Sequence, residues 1–370
     1  MRATPSRLKS VDIAIRMRKA HLFHAQISFV KAGALGSNVG SGSYTRDANC
    51  RSIVGGYMTS QVLLEARLQR RGSHDATLRD VPAAAPSWRV SPSIARVSAV
   101  EAGLSYLKHT NERPYNYMYE PPAGTPRENC EYEQHLMSIN DARSMSPQPS
   151  VHREGFELWD APSAVTDFLD EAAIVSVYYK EMIELACAVT GARRAYVFDH
   201  QVRQRESGRP ALTFGRHGDG SRPAAAGRIH NDYSQVSGRT RMANVLNDPG
   251  AVAAVERFSI VNIWRSIKGP ILDTPLAVCD ARTVRAVDLV PGEVRYPKRT
   301  GELYLVEHSP RHRWSYFSAM DRHEALVFKQ YDSQVDGVAR FTPHSAFDLP
   351  DTPPDAPLRE SIEIRCLVLY

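Results

Sequence analysis

From residue 259 onward the chain keeps returning to short runs of Val, Ile, Leu and aromatic residues, at 259–264, 275–279, 302–307, 325–331 and 361–370, each cut off by Pro, Gly or Asp. Runs of this length and type form strands, because β-branched and aromatic side chains pack well on a pleated surface while Pro and Gly interrupt it. Strands in such number must bury a face against one another, which restricts the second half of the chain to a sandwich or barrel. The first half reads differently. Residues 164–190 carry the longest helical spacing, with a hinge at Asp170-Glu171 and Gly191 as C-terminal cap. Residues 99–108 also carry helical apolar spacing, 116–122 form an extended aromatic segment stopped by two prolines, and 195–199 a short strand. The fold class expected is α+β, a double-stranded β-helix (jelly roll) with flanking helices.

The chain divides near residue 95. Residues 1–72 hold 12 Lys and Arg against 3 Asp and Glu, and the remainder 34 against 38, so the net charge of +5 describes neither part. Residues 33–43 are rich in Gly and Ser, 61–71 fit a short basic helix, and 81–86 read as a linker. We read 1–95 as a basic N-terminal extension and 96–370 as the folded, jelly-roll domain. A nucleic-acid site would have to use the basic segment, which carries no recognised motif for one, so no nucleic-acid partner is expected. No apolar run approaches eighteen residues, which excludes a helical membrane span. The five cysteines are widely spaced without a CxxC pair, which points to reduced thiols and a cytoplasmic protein.

The chemistry concentrates at His230-Asn231-Asp232, between a polar Arg/Gly-rich loop (203–228) and the strand-rich half. Residues two apart on a strand point to the same side, so one imidazole and one carboxylate can reach a single metal ion from adjacent corners. A second histidine from a distant strand completes a 2-His-1-carboxylate triad, the set that leaves three positions open on ferrous iron. His344, 112 residues after Asp232, is the candidate, its distance allowing it to stand on the opposite sheet of the barrel. Arg359 follows fifteen residues later and opens the last strand. There a guanidinium can hold a carboxylate through two parallel hydrogen bonds, which lysine cannot copy.

The order HxD, distant His, then Arg resembles the iron(II)/2-oxoglutarate-dependent dioxygenases. A narrower resemblance, to the CmcJ/AsaB hydroxylase/desaturase family, runs over about residues 99–370. It is carried by Asn116-Tyr117-Met118-Tyr119, Val197-Phe198-Asp199-His200, His230-Asn231-Asp232-Tyr233, Asn262-Ile263-Trp264-Arg265, Pro275-Leu276-Ala277-Val278-Cys279-Asp280, Phe328-Lys329-Gln330-Tyr331-Asp332-Ser333 and Arg359-Glu360-Ser361-Ile362-Glu363. That family includes the bacterial cephamycin 7α-methoxylation component and fungal enzymes of secondary metabolism. The resemblance implies iron held by His230, Asp232 and His344, and 2-oxoglutarate anchored by Arg359. It also implies hydroxylation, desaturation or oxidative cyclisation of a small secondary-metabolite intermediate by dioxygen, with release of succinate and CO2.

Several assignments stay open at this level. His308 and His312 compete with His344, while His200 and His323 read as structural or surface groups. Arg365 shares the strand parity of Arg359, so it competes for the cosubstrate or meets a substrate carboxylate, and Arg265 stands where a strand end would let it line the site. Trp314, Tyr316, Lys329 and Tyr331 are further pocket candidates. Two other functions remain: a catalytically silent partner of another biosynthetic enzyme such as a methyltransferase, and a cupin-type metal site with a further ligand from Glu206 or His217. A homodimer is a further possibility.

Overall fold

The structure is a computed structural model, described here for residues 99–205 and 225–370. The extension 1–95, with Cys50, and the Glu206 and His217 of the cupin reading lie outside the described residues. Fourteen strands make two sheets. The first eight are β1 (Ala99–Leu107), β2 (Tyr115–Tyr117), β3 (Tyr132–Asp141), β4 (Phe156–Asp160), β5 (Arg194–Gln204), β6 (His230–Asn231), β7 (Phe258–Ser266) and β8 (Leu276–Cys279). The other six are β9 (Leu289–Tyr296), β10 (Arg299–Val306), β11 (Trp314–Tyr316), β12 (Glu324–Asp332), β13 (His344–Ala346) and β14 (Glu360–Leu369). The larger sheet has the order β1-β3-β11-β8-β13-β6-β10-β9-β2, the smaller β4-β12-β7-β14-β5. All five strand runs read from the sequence are strands, and the architecture is the jelly roll expected.

β7 and β12 are buried at every residue because both faces of the smaller sheet are covered. One face carries Val261, Ile263, Ile362 and Ile364 against a helix; the other carries Trp264, Leu326 and Phe328 into the barrel. That helix, α1, runs through Glu171–Ala173, a wider π-helical stretch Ile174–Tyr178 and a regular part Tyr179–Thr190. Asp170, read from sequence as a hinge, is its start: the carboxylate accepts from the N–H groups of Ala172 and Ala173, so 164–169 stay outside the helix. Gly191 closes it at φ +69°, the left-handed cap expected.

Residues 99–108 are not helical. They form β1, antiparallel to β3 along its whole length, with Ala102, Leu104 and Tyr106 turned inward. The same apolar residues satisfy both periods, and a nine-residue ladder with a partner decides for the strand. Two short helices, α2 (Gln235–Leu246) and α3 (Pro249–Ala253), link β6 to β7. α2 begins at once after Asp232-Tyr233 because the Ser234 hydroxyl accepts from Val236 and Ser237 N–H groups. Among the described residues no helix is long and apolar enough to cross a membrane, and the four described cysteines are free thiols.

Candidate metal centre

His230 and His344 face each other across neighbouring strands, paired in register on β6 and β13 with ring centroids 4.4 Å apart. They therefore share one sheet. The expectation of opposite sheets fails because the chain, after building β7 to β12, returns to lay β13 between β6 and β8. Asp232, two residues past His230, points to the same side, with Oδ1 3.5 Å from His230 Nε2. One donor atom from each of the three residues lies within 4.8 Å of the others.

The surroundings leave the right atoms facing inward. His230 Nδ1 lies 2.7 Å from the Arg228 carbonyl and donates to it, so the Nε2 lone pair is turned to the centre. His344 Nδ1 is 3.4 Å from the Thr342 carbonyl, and Phe328 packs edge-on against its ring. Asp232 Oδ2 accepts from Asn262 Nδ2 at 2.8 Å and Arg365 Nε at 2.9 Å, which leaves Oδ1 directed at His230. Burial opposes ionisation of Asp232, but the Arg365 guanidinium outweighs it and holds the carboxyl well below its usual range. Burial, reinforced by His230, pushes His344 down to about 3, so the ring is neutral and its lone pair available. An ionised carboxylate and two imidazoles, with no cysteine, make a donor set that fits ferrous iron.

Two buried amides brace this cluster. Asn231 donates to the carbonyls of Tyr233 (2.7 Å) and Gln330 (2.9 Å) and accepts from Thr342 N–H at 3.0 Å. Gln330 accepts from Asp232 N–H at 2.7 Å and donates to the Thr342 carbonyl at 3.1 Å. Together they tie the segment holding His230 and Asp232 to the one holding His344. Gln330→Leu removes both Gln330 bonds and strands two buried backbone groups. We expect a stability loss of about 1–3 kcal/mol and iron binding weaker by roughly 10- to 100-fold, read by thermal melting and anaerobic metal titration; unchanged iron affinity contradicts the bracing role.

Arg359 is 3% exposed at the start of β14, on the barrel-facing side. Its Nε donates to Ser361 Oγ at 3.3 Å and Nη1 to the Thr274 carbonyl at 2.9 Å, and its guanidinium lies 5.2 Å over the Trp264 ring. Burial pushes its pKa down to about 9, and no carboxylate among the described residues lies in ion-pair range. Trp264 beside it buries Nε1–H without an acceptor. A buried cation next to an unsatisfied donor fits an incoming carboxylate. Arg365 is differently engaged: it bonds Asp232, Asp199 (2.8 Å) and Glu363 (2.6 Å). It holds the Asp232 carboxylate from six residues along the same strand.

Arg265 is on the wrong side. On β7 it shares parity with Val261 and Ile263, so it faces α1, its guanidinium 5.0 Å over the Tyr178 ring and bonded to the Arg322 carbonyl. The competitor histidines are also elsewhere: His308 stacks on His135 at 3.8 Å, and His312 hydrogen-bonds Tyr106. Trp314, Tyr316, Lys329 and Tyr331 are core residues; Lys329 pairs with Asp332 at 2.7 Å in full burial. Sequence reasoning passed over Asn262 and Gln330 as site residues. The available signal was an amide or amphipathic residue inside an otherwise apolar strand run.

A cavity of about 400 Å³ opens on His230, Asp232 and Arg365. A larger one, about 740 Å³, lies apart from them beside His152, Arg282 and Arg340. The donor atoms decide in favour of the smaller as the reaction cavity; Arg359 is not among its lining residues.

A jelly roll carrying a 2-His-1-carboxylate centre defines a non-haem iron oxygenase. The family described as oxidoreductase/YMDC permease-like domain matches residues 104–369. The chain is 32% identical to the hydroxylase/desaturase efuI of Hormonema carpetanum over 73% of its length and 95% of that protein. It is 30% identical to the Fe(II)/2-oxoglutarate-dependent dioxygenase nvfI of Aspergillus novofumigatus, over 70% of this chain and 91% of the other. The solved structure of the iron and alpha-ketoglutarate-dependent endoperoxidase NvfI superposes with a TM-score of 0.65 at 26% identity, covering 74% of this chain and 98% of that one. The chain belongs to this family of hydroxylase/desaturases, and it is an iron(II)- and 2-oxoglutarate-dependent dioxygenase.

Proposed function

We propose that His230 Nε2, Asp232 Oδ1 and His344 Nε2 hold the ferrous iron and that Arg359 anchors the distal carboxylate of 2-oxoglutarate. The observation that carries this reading is the convergence of three donor atoms within 4.8 Å, each with its other polar atom engaged by the protein. When bound, iron and 2-oxoglutarate supply the oxidising chemistry, with succinate and CO2 released. The chain's own work is positional. Arg365 and Asn262 fix Asp232 Oδ2 and so select Oδ1 as ligand atom. The Arg228 carbonyl fixes the His230 tautomer. Arg359 meets the cosubstrate in a dry interior, where a charge-assisted pair is stronger than in water.

The substrate is a small secondary-metabolite intermediate, hydroxylated, desaturated or oxidatively cyclised in the 400 Å³ cavity. The alternative of a silent partner for a methyltransferase has no support from a donor set preserved with its bracing bonds. The test is succinate formation from 2-oxoglutarate. We expect it to require added ferrous iron and to stop with a chelator; formation that ignores both contradicts the reading.

A further inference from the structure

The inner part of the reaction cavity is close to charge balance. Asp199, Asp232 and Glu363 all bond Arg365, and Arg203, which lines the same cavity, adds a second positive charge beside them. The rim is not balanced. Arg241 and Arg299 both line the cavity, and neither has a carboxylate partner among the described residues. Glu302, the acidic group beside them, is taken by Arg113 and by the Ser234 hydroxyl.

Both guanidinium groups are laid on aromatic rings: Arg241 lies 5.1 Å over Phe198 and 6.0 Å over Tyr233, the residue after the ligand Asp232, and Arg299 lies 4.3 Å over Tyr296. Stacking holds a guanidinium plane while leaving its N–H edge able to grip a planar anion. The two come from different elements. Arg241 belongs to the cavity-facing stripe Ser237, Thr240, Arg241 and Asn244 of α2, spaced i, i+3, i+4, i+7, and Arg299 opens β10. Val294 and Leu303 supply apolar wall to the same cavity.

We infer that the substrate is an amphipathic organic anion, an apolar ring body carrying a carboxylate or equivalent group that Arg241 and Arg299 bind at the cavity mouth. This rests on the assignment of that cavity as the reaction site and names its substrate class. A solvated surface arginine explains Arg299 alone; it does not explain two ring-supported guanidinium groups without a carboxylate partner among the described residues lining one cavity.

The test uses full-length protein loaded with Mn(II) and 2-oxoglutarate, titrated with 8-anilinonaphthalene-1-sulfonate and with its uncharged counterpart N-phenyl-1-naphthylamine. We expect the anion to bind about 10-fold or more tighter, the value of one charge-assisted pair. Arg241→Gln and Arg299→Gln each remove much of that preference and leave the neutral probe unchanged, while Arg241→Lys keeps part of it. Equal affinity for the two probes, no binding of the anion, or a preference untouched in both Gln variants overturns the inference. Arg299 is exposed, so its variant remains informative if Arg241→Gln disturbs packing. Iron-dependent succinate formation without anion preference overturns this inference alone. Anion preference without iron-dependent succinate formation overturns the site assignment instead.

Discussion

Replacing Asp232 with alanine is expected to abolish iron-dependent turnover. The residue supplies the only carboxylate of the donor set, and its loss also takes the acceptor from Asn262 Nδ2 and one of three carboxylates from Arg365. Partners that merely orient metal ligands are worth roughly 10- to 100-fold in metal affinity, so loss of the ligand exceeds about 100-fold. Asp232→Asn is the sharper comparison: it preserves shape, removes the charge, and presents an amide to a guanidinium that needs an anion. Anaerobic iron titration with parallel succinate measurement reads both. Retention of wild-type iron affinity in Asp232→Ala means the iron sits elsewhere.

Arg359→Met and Arg365→Met are expected to separate two functions that strand parity alone makes equivalent. Arg359 has no carboxylate partner among the described residues and a buried, unsatisfied neighbour, so its loss raises the KM for 2-oxoglutarate. Two charge-assisted bonds at about 1.5–3 kcal/mol each correspond to a rise of roughly 100-fold or more. Iron affinity should change little. Arg365 holds Asp232, so Arg365→Met should weaken iron by about 10- to 100-fold, with the KM for 2-oxoglutarate near normal once iron is saturating. Measuring KM and iron affinity for both variants decides the matter. If Arg365→Met carries the large KM effect, the anchor has been assigned to the wrong arginine.

The motif was legible because it is local: His230 and Asp232 stand two residues apart and reach the same side, although β6 ends at Asn231 and Asp232 lies in the bend after it. His344 could be chosen by separation and by its place before Arg359, but its sheet could not. Whether β13 lies beside β6 or across the barrel depends on where the chain re-enters the sheet, and no residue near His344 encodes that. Arg265 failed for a related reason. Being at a strand end says nothing about which face a residue takes, and one step of parity turns it from the barrel to α1. Residues 99–107 show the limit of periodicity, since Val100, Leu104 and Leu107 also fit a helix until β3 pairs with them. The bracing amides Asn231 and Gln330 act through backbone groups up to 111 residues away, contacts that exist only once the barrel is closed.

The central claim is that one ion is held by three named atoms. Crystals of the full chain grown anaerobically with Mn(II) and 2-oxoglutarate, with data collected at the manganese absorption edge, test it directly. The account predicts a single anomalous peak bonded to His230 Nε2, Asp232 Oδ1 and His344 Nε2, with Asp232 Oδ2 still on Arg365 and the distal carboxylate of 2-oxoglutarate on Arg359. A peak that lacks any one of the three, or one in the larger cavity beside His152 and Arg340, contradicts it.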